Sequence, residues 1–249
     1  MKIVVCVKRV PDTEARIKVS SDGKGHDPDG VETILSPYDE IALEAAIQLR
    51  EAGVADEVTI VSVGPAAVRK ELRTGLAMGA DRAVLLVDDA RRDASGVAAA
   101  LAAELGAIGP DLVLCGWKAI DTDASEVPFR VAHALGMPAI SYAVGIAVDG
   151  GKATVRREVE GTTEVIEVTL PAVVTAQKGL AEPRYPSLKG IMMAKKKPLE
   201  EKPAAPSETI LETVRMDPPP PRPEGRIVGK GADGVAPLLD ALRNEAKVL

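Results

Sequence analysis

The sequence predicts an α/β fold: a doubly wound, mostly parallel sheet with an antiparallel extension and an extended C-terminal arm. Three observations predict it. Over the first 140 or so residues, short apolar runs alternate with helical patterns. Such alternation marks βαβ units and a parallel sheet covered on both faces. After that point β-like runs follow one another across tight turn signals. From Pro198 onward the composition shifts to proline: eight of the 19 prolines lie between 198 and 223, too many for a core-forming segment.

Each element has its own signal. Lys2–Val7 reads as a fully buried strand. Residues 11–35 form a polar insertion with Asp22-Gly23 and Asp29-Gly30 turns, a small hairpin placed over the sheet's ligand-binding edge. Pro37–Glu51 is a helix, with Ser36 as N-cap and Pro37 in its first turn. Glu57–Val63 is a strand, and Ala66–Met78 a helix ending at Gly79. Arg82–Val87 is a strand, and Ala94–Leu105 a helix ending at Gly106. Asp111–Cys115 is a strand, and Glu126–Leu135 a helix ending at Gly136. Ser141–Val148, Ala153–Glu158 and Glu164–Leu170 alternate as strands, joined at Asp149-Gly150-Gly151 and Glu160-Gly161. Pro171–Ala176 adds one more apolar strand. The organisation is thus a nucleotide-binding domain over 1–197 and an arm over 198–249. The arm ends in a helix, Val235–Ala246, with Leu238, Leu239 and Leu242 on one side. Wrapping a partner subunit explains such an arm; folding back on its own domain is the plainer alternative.

The chain has 249 residues and a net charge of −6, with 2% aromatic residues. That balance argues against a nucleic-acid binder, which needs positive charge and stacking platforms. No apolar run reaches the roughly 20 residues of a membrane span. The N-terminus lacks the pattern of a signal or transit peptide, which predicts a cytoplasmic protein. Cys6 and Cys115 each close an apolar run and read as reduced core thiols. No Cys/His spacing suits a structural metal.

Catalytic constellations are missing. There is no GxSxG, Walker A, GxGxxG or Ser-Gly-Gly phosphate loop. His26 lies in the polar insertion, and His133 sits among apolar helical neighbours. Ligands of parallel sheets bind beyond the carboxyl ends of the strands. Three segments converge there. Backbone groups around Cys6, Val7 and Lys8 can read an adenine edge. Gly64, after Val63, permits close backbone approach. Gly116 to Pro128 runs into a helix N-terminus, where free N–H groups suit a phosphate. A fourth segment, Gly179 to Lys197, mixes prolines, Leu180 and a lysine run. It reads as a connecting loop or as a docking surface with an apolar anchor and a charged rim.

The runs VCVKRV, SPYDEIALEAAIQL, RTGLAMGADRAVLL, WKAIDTD and LPAVVTAQKGLAEPRYPSLKGIMMAKKK occur in order over at least residues 1–200. In these the chain resembles the beta subunit of electron transfer flavoproteins. The resemblance implies an adenine nucleotide-binding, Rossmann-like domain without catalytic residues of its own. It implies a heterodimer with an alpha subunit that holds FAD. It also implies flavin dehydrogenases of the acyl-CoA type as donors, and a membrane-bound or soluble acceptor. By position it carries nucleotide contacts to Cys6, Val7, Lys8, Ser36, Val63, Gly64, Gly116, Asp121, Thr122, Asp123, Ser125, Glu126 and Val127. Thr13 and Tyr38 fall near the alpha-subunit FAD. Leu180, Glu182, Pro183, Arg184 and Tyr185 fall in the family's partner-recognition loop. The phosphate site departs from the family: AMP-binding members read Asn-Gln-Thr where this chain has Ser125-Glu126-Val127, and Asn where it has Ser36. Glu126 sets a carboxylate near a phosphate unless it points away, and Pro128 removes a donor. AMP, a second FAD of the electron-bifurcating type, or an empty or altered site all remain open for the occupant. The recognition segment follows the non-bifurcating pattern. A stand-alone adenine-nucleotide-binding module is the rival reading.

Overall fold

The structure is a computed structural model that describes residues 1–222 and 224–249. Pro223, counted above in the proline-rich stretch, lies outside them.

The chain runs β1 (Lys2–Cys6), β2 (Arg9–Pro11), β3 (Thr33–Leu35), α1 (Pro37–Glu51), β4 (Glu57–Gly64) and α2 (Arg69–Met78). It continues through β5 (Arg82–Val87), α3 (Ala94–Ile108), β6 (Leu112–Gly116), α4 (Val127–Leu135) and β7 (Ala139–Asp149). Then come β8 (Lys152–Val159), β9 (Thr162–Thr169), β10 (Ala172–Ala176), α5 (Leu188–Ala194), β11 (Leu199–Pro203) and α6 (Val235–Asp240). Among the described residues nine strands form one sheet, in the order β11-β5-β4-β1-β6-β10-β7-β8-β9. The first seven pair in parallel, and β7, β8 and β9 pair antiparallel. β2 and β3 make a separate antiparallel pair.

The near-continuous apolar runs of β1, β4, β5, β6 and β10 are explained by helices on both faces. One core joins Ile3, Val5 and Ile60 to Leu43, Ile47, Leu72 and Leu76 of α1 and α2. The other joins Val4, Val61, Val84 and Val113 to Leu101, Leu105 and Val131 of α3 and α4. The chain builds outward from β1 through β4 to β5, then crosses back to β6 on the other side of β1. The order therefore reverses between β1 and β6, where parallel sheets open a crevice at their carboxyl ends.

Four differences from the sequence reading bear on function. The sheet continues past residue 197, because Leu199–Pro203 pairs in parallel with β5 as an edge strand. The segment Gly179 to Lys197 contains the helix α5, which packs on α2 so closely that a Cβ on Gly190 would lie 2.5 Å from the Ala77 carbonyl oxygen. Helix α3 passes Gly106 and stops at Gly109, whose left-handed φ of 64° caps it. The hairpin of the 11–35 insertion leans toward Arg91 and the arm: Arg91 Nη1 donates to Asp22 at 2.9 Å, and Met216 N–H to the Gly23 carbonyl at 2.8 Å.

Candidate functional site

A cavity of about 390 Å³ opens at the β1/β6 switch point. Its floor is Cys6, Val7 and Lys8 from the end of β1, with Cys115 and Gly116 from the end of β6. Val63 enters from β4. Asp93, Ala94, Val97 and Leu101 of the α3 start form one wall. Thr122, Ser125, Glu126, Val127 and Pro128 form the other, where the chain enters α4.

The two sides differ in chemistry. Val63, Val97, Leu101 and the cysteine pair make an apolar slot, suited to a flat ring. Cys6 and Cys115 sit opposite each other in register. The Cys115 thiol is pushed well up by its contact with Cys6 and by burial, so it stays protonated. Both are free thiols, as read from sequence. The α4 side is polar. Asp123 and Ser125 hold left-handed φ values of 51° and 53°, which non-glycine residues seldom adopt. The Asp123 N–H is used inside the loop, donating to the Ala119 carbonyl at 2.9 Å. The N-terminus of α4 adds its dipole.

Asp39, the third residue of α1, ties this frame together. Its Oδ2 accepts the Lys8 N–H and its Oδ1 the Gly116 N–H, each at 2.8 Å. Both strand exits are thereby held to one buried carboxyl. Burial pushes that carboxyl up to about 7, against the opposing pull of the two N–H bonds and of Lys8. The close approach requires glycine at 116, since a Cβ there would stand 2.5 Å from Asp39 Oδ1. Sequence reasoning missed Asp39. Its signal was an acid in the first turn of a helix, beside a second acid, Glu40, that gave no reason to single it out.

The two lysines that line the cavity are ion-paired. Lys8 Nζ meets Asp121 at 2.7 Å, and Lys118 Nζ meets Asp123 at 2.6 Å. Asp121 and Asp123 thus pin the loop and do not line the cavity. Ser36 and Gly64 do not line it either. Ser36 precedes α1 but makes no capping bond, and its Oγ is buried without a partner. Glu126 turns its carboxylate to Arg130, at 2.9 Å from Nε and 2.7 Å from Nη2. That removes the conflict with an anion expected from its position. Arg92, Leu211 and Thr213 also line the cavity and were not anticipated.

Tyr38 lies outside the cavity. Its ring meets Trp117 edge-on at 5.4 Å, Trp117 leans on Tyr142 at 4.9 Å, and Lys118 Nζ stands 4.6 Å from the Trp117 ring. Thr13 is exposed in the turn after β2. In the segment after β10, Leu180 is half-buried against the main core, and Tyr185 is 96% exposed. Arg184 turns inward: its Nε meets buried Glu44 at 2.8 Å and its Nη1 meets Glu51 at 2.6 Å. These bonds, to Glu51 first and then Glu44, raise its pKa further.

Among the described residues no group of three or more potential ligands suits a metal, and no helix is long and apolar enough to cross a membrane.

A family model described as the electron transfer flavoprotein domain matches residues 27–207. A protein of Syntrophomonas wolfei named electron transfer flavoprotein subunit beta is 43% identical over the whole chain and 98% of its own length. Its namesake from Bacillus subtilis is 42% identical over the full length of both. A human protein of the same name is 39% identical, covering 96% of this chain and 97% of its own.

Proposed function

The chain belongs to the electron transfer flavoprotein family as a beta subunit, and from that premise we propose that it buries AMP and docks an alpha subunit that holds FAD. The observation that carries the AMP reading is the switch-point cavity. It pairs an apolar slot with the polar start of α4, and its volume of about 390 Å³ is near the lower end of the usual range of ligand sites. That volume suits a mononucleotide better than a dinucleotide, which favours AMP over a second FAD. The adenine lies against Cys6, Val7, Val63 and Val97. The phosphate lies on the Ser125–Val127 backbone and the Ser125 hydroxyl.

In this reading AMP is structural. It fills the crevice and ties β1, β6 and α4 together. The alpha-subunit FAD supplies the one- and two-electron redox chemistry. This chain's own residues position and exclude: Asp39 holds the strand exits, and Tyr38 with Trp117 presents an aromatic edge toward the flavin. The heterodimer accepts electrons from flavin dehydrogenases of the acyl-CoA type and passes them to a respiratory acceptor in the cytoplasm or at its membrane. Leu180, Glu182, Pro183, Arg184 and Tyr185 form the partner-docking segment. Inward-turned Arg184 supports it as a brace, and exposed Tyr185 as a contact.

The test of docking is electron exchange. Leu180→Ala is expected to slow reduction by a dehydrogenase at least several-fold while flavin content holds. Equal rates in variant and parent contradict the docking assignment.

A further inference from the structure

Residues Leu211 and Thr213 close one side of the cavity, yet they belong to the arm, more than 100 positions from α3 in sequence. The arm is held there by a specific set of bonds. Asp93, the N-cap of α3, uses one carboxylate for two tasks. Its Oδ1 accepts the Gly96 N–H at 2.7 Å and caps the helix. Its Oδ2 accepts the Ile210 and Leu211 N–H groups at 2.8 and 2.9 Å. Arg92 Nη1 donates to the Ala205 carbonyl and to Ser207 Oγ, each at 2.8 Å, while its Nε pairs with Asp88. Gly96 permits the approach, since a Cβ there would lie 2.8 Å from Ser207 Oγ. Beyond Leu211 the arm is clasped from the other side: Glu212 pairs with Lys24 at 2.5 Å, and Met216 N–H donates to Gly23.

We infer that residues 205–213 form a strap, latched by Arg92 and Asp93, that must open before the cavity's occupant can enter or leave. The inference rests on the adenine-mononucleotide reading for the identity of that occupant. It gives the 11–35 insertion a task that sequence alone did not suggest, as the outer clasp of the strap. It also separates two kinds of residue. Ser125 and the α4 start hold the nucleotide, whereas Arg92 and Asp93 hold the door. A gate changes entry and exit together; a ligand contact changes exit alone.

The experiment uses the full chain purified with its alpha partner and radiolabelled AMP as probe. Association and release rates are measured for the parent, Asp93→Asn and Gly96→Val. Asn keeps the helix cap but weakens the double acceptor for the strap, and Val at 96 displaces Ser207. Loss of the latch is expected to raise both rates together by about tenfold or more. Rates within a factor of about two of the parent in both variants overturn the strap, as does a faster release with unchanged association. Amide hydrogen exchange on the same samples separates the strap from the nucleotide reading. A parent that binds no AMP removes the nucleotide reading. The strap then stands if the Ile210 and Leu211 amides are protected in the parent and lose protection in Asp93→Asn, and it falls if the parent leaves them unprotected.

Discussion

Asp39 is the residue on which the site's geometry most depends. Its two oxygens serve two backbone N–H groups, one from each strand beside the switch point. Asparagine offers a single acceptor oxygen, so Asp39→Asn leaves one buried donor unpaired at a cost of about 1–3 kcal/mol. The pH dependence has a definite sign. Burial raises the folded-state value to about 7, so the protonated form is the one favoured by folding. The contribution of Asp39 is fully present below about pH 4 and is lost as pH rises through about 7. Denaturant unfolding of parent and Asp39→Asn across this range is expected to show the parent's advantage shrinking with pH. A growing advantage contradicts the assignment.

At Glu126 the position of the charge was legible in the sequence, but its direction was not. Position put a carboxylate beside an anion site. The side chain instead pairs with Arg130 one turn on, an i, i+4 pairing that the spacing already permitted. Removing the partner restores the conflict: Arg130→Ala is expected to weaken AMP binding about two- to fivefold, the size of a helix-terminus charge effect. Calorimetry on the complex checks it, and unaltered affinity separates Glu126 from the phosphate. The strained Asp123 and Ser125 were not legible, because neither residue type announces a left-handed backbone as glycine does.

Among elements, the strongly patterned ones were readable. Helix α1 spans Pro37–Glu51 and strand β5 spans Arg82–Val87, the ranges their periodicity and flanking signals predict. The two that were missed have physical reasons. Strand β11 reads Leu-Glu-Glu-Lys-Pro, a charged stretch typical of an edge. It joins the sheet because its acids meet Arg69 and Arg82, and its lysine meets Glu104. Helix α5 is seven residues long and follows two prolines, so no apolar period could develop. Its placement depends on contacts distant in sequence, as does that of the segment before it. Arg184 links that segment to Glu44 and Glu51 of α1. Arg184→Ala strands the buried Glu44 carboxylate and is expected to lower stability by roughly 1–3 kcal/mol. If the segment docks a dehydrogenase as proposed, the same variant is expected to slow electron exchange by loosening it. Thermal unfolding and stopped-flow reduction read the two effects. Full stability in the variant removes the brace.

For the whole molecule, the parallel sheet, its antiparallel extension and the cavity's place at the carboxyl ends of the strands were legible from the alternation of strands and helices, but the order of the strands was not. Nor were the occupant's chemistry and the path of the arm. The sequence suggested one boundary near residue 197. The structure divides the arm differently: an edge strand to Pro203, a strap to Thr213, and a terminal stretch in which Ile227, Val235, Leu238, Leu239 and Leu249 are exposed. The terminal stretch is the part suited to a partner. Truncation after Met216 is therefore expected to weaken association with the alpha subunit while AMP binding persists. Truncation before Pro198 is expected to damage the fold itself, because it removes β11. Sedimentation of the co-expressed chains distinguishes the two, and an unweakened heterodimer after the shorter truncation contradicts the assignment of the terminal stretch.

In the proposed function this beta subunit buries an adenine mononucleotide and leaves redox chemistry to its partner's flavin. The most direct measurement is the set of nucleotides released when the purified heterodimer is denatured. AMP and FAD are expected in equal amounts. Two FAD and no AMP, or FAD with no adenine mononucleotide, contradicts the proposed function.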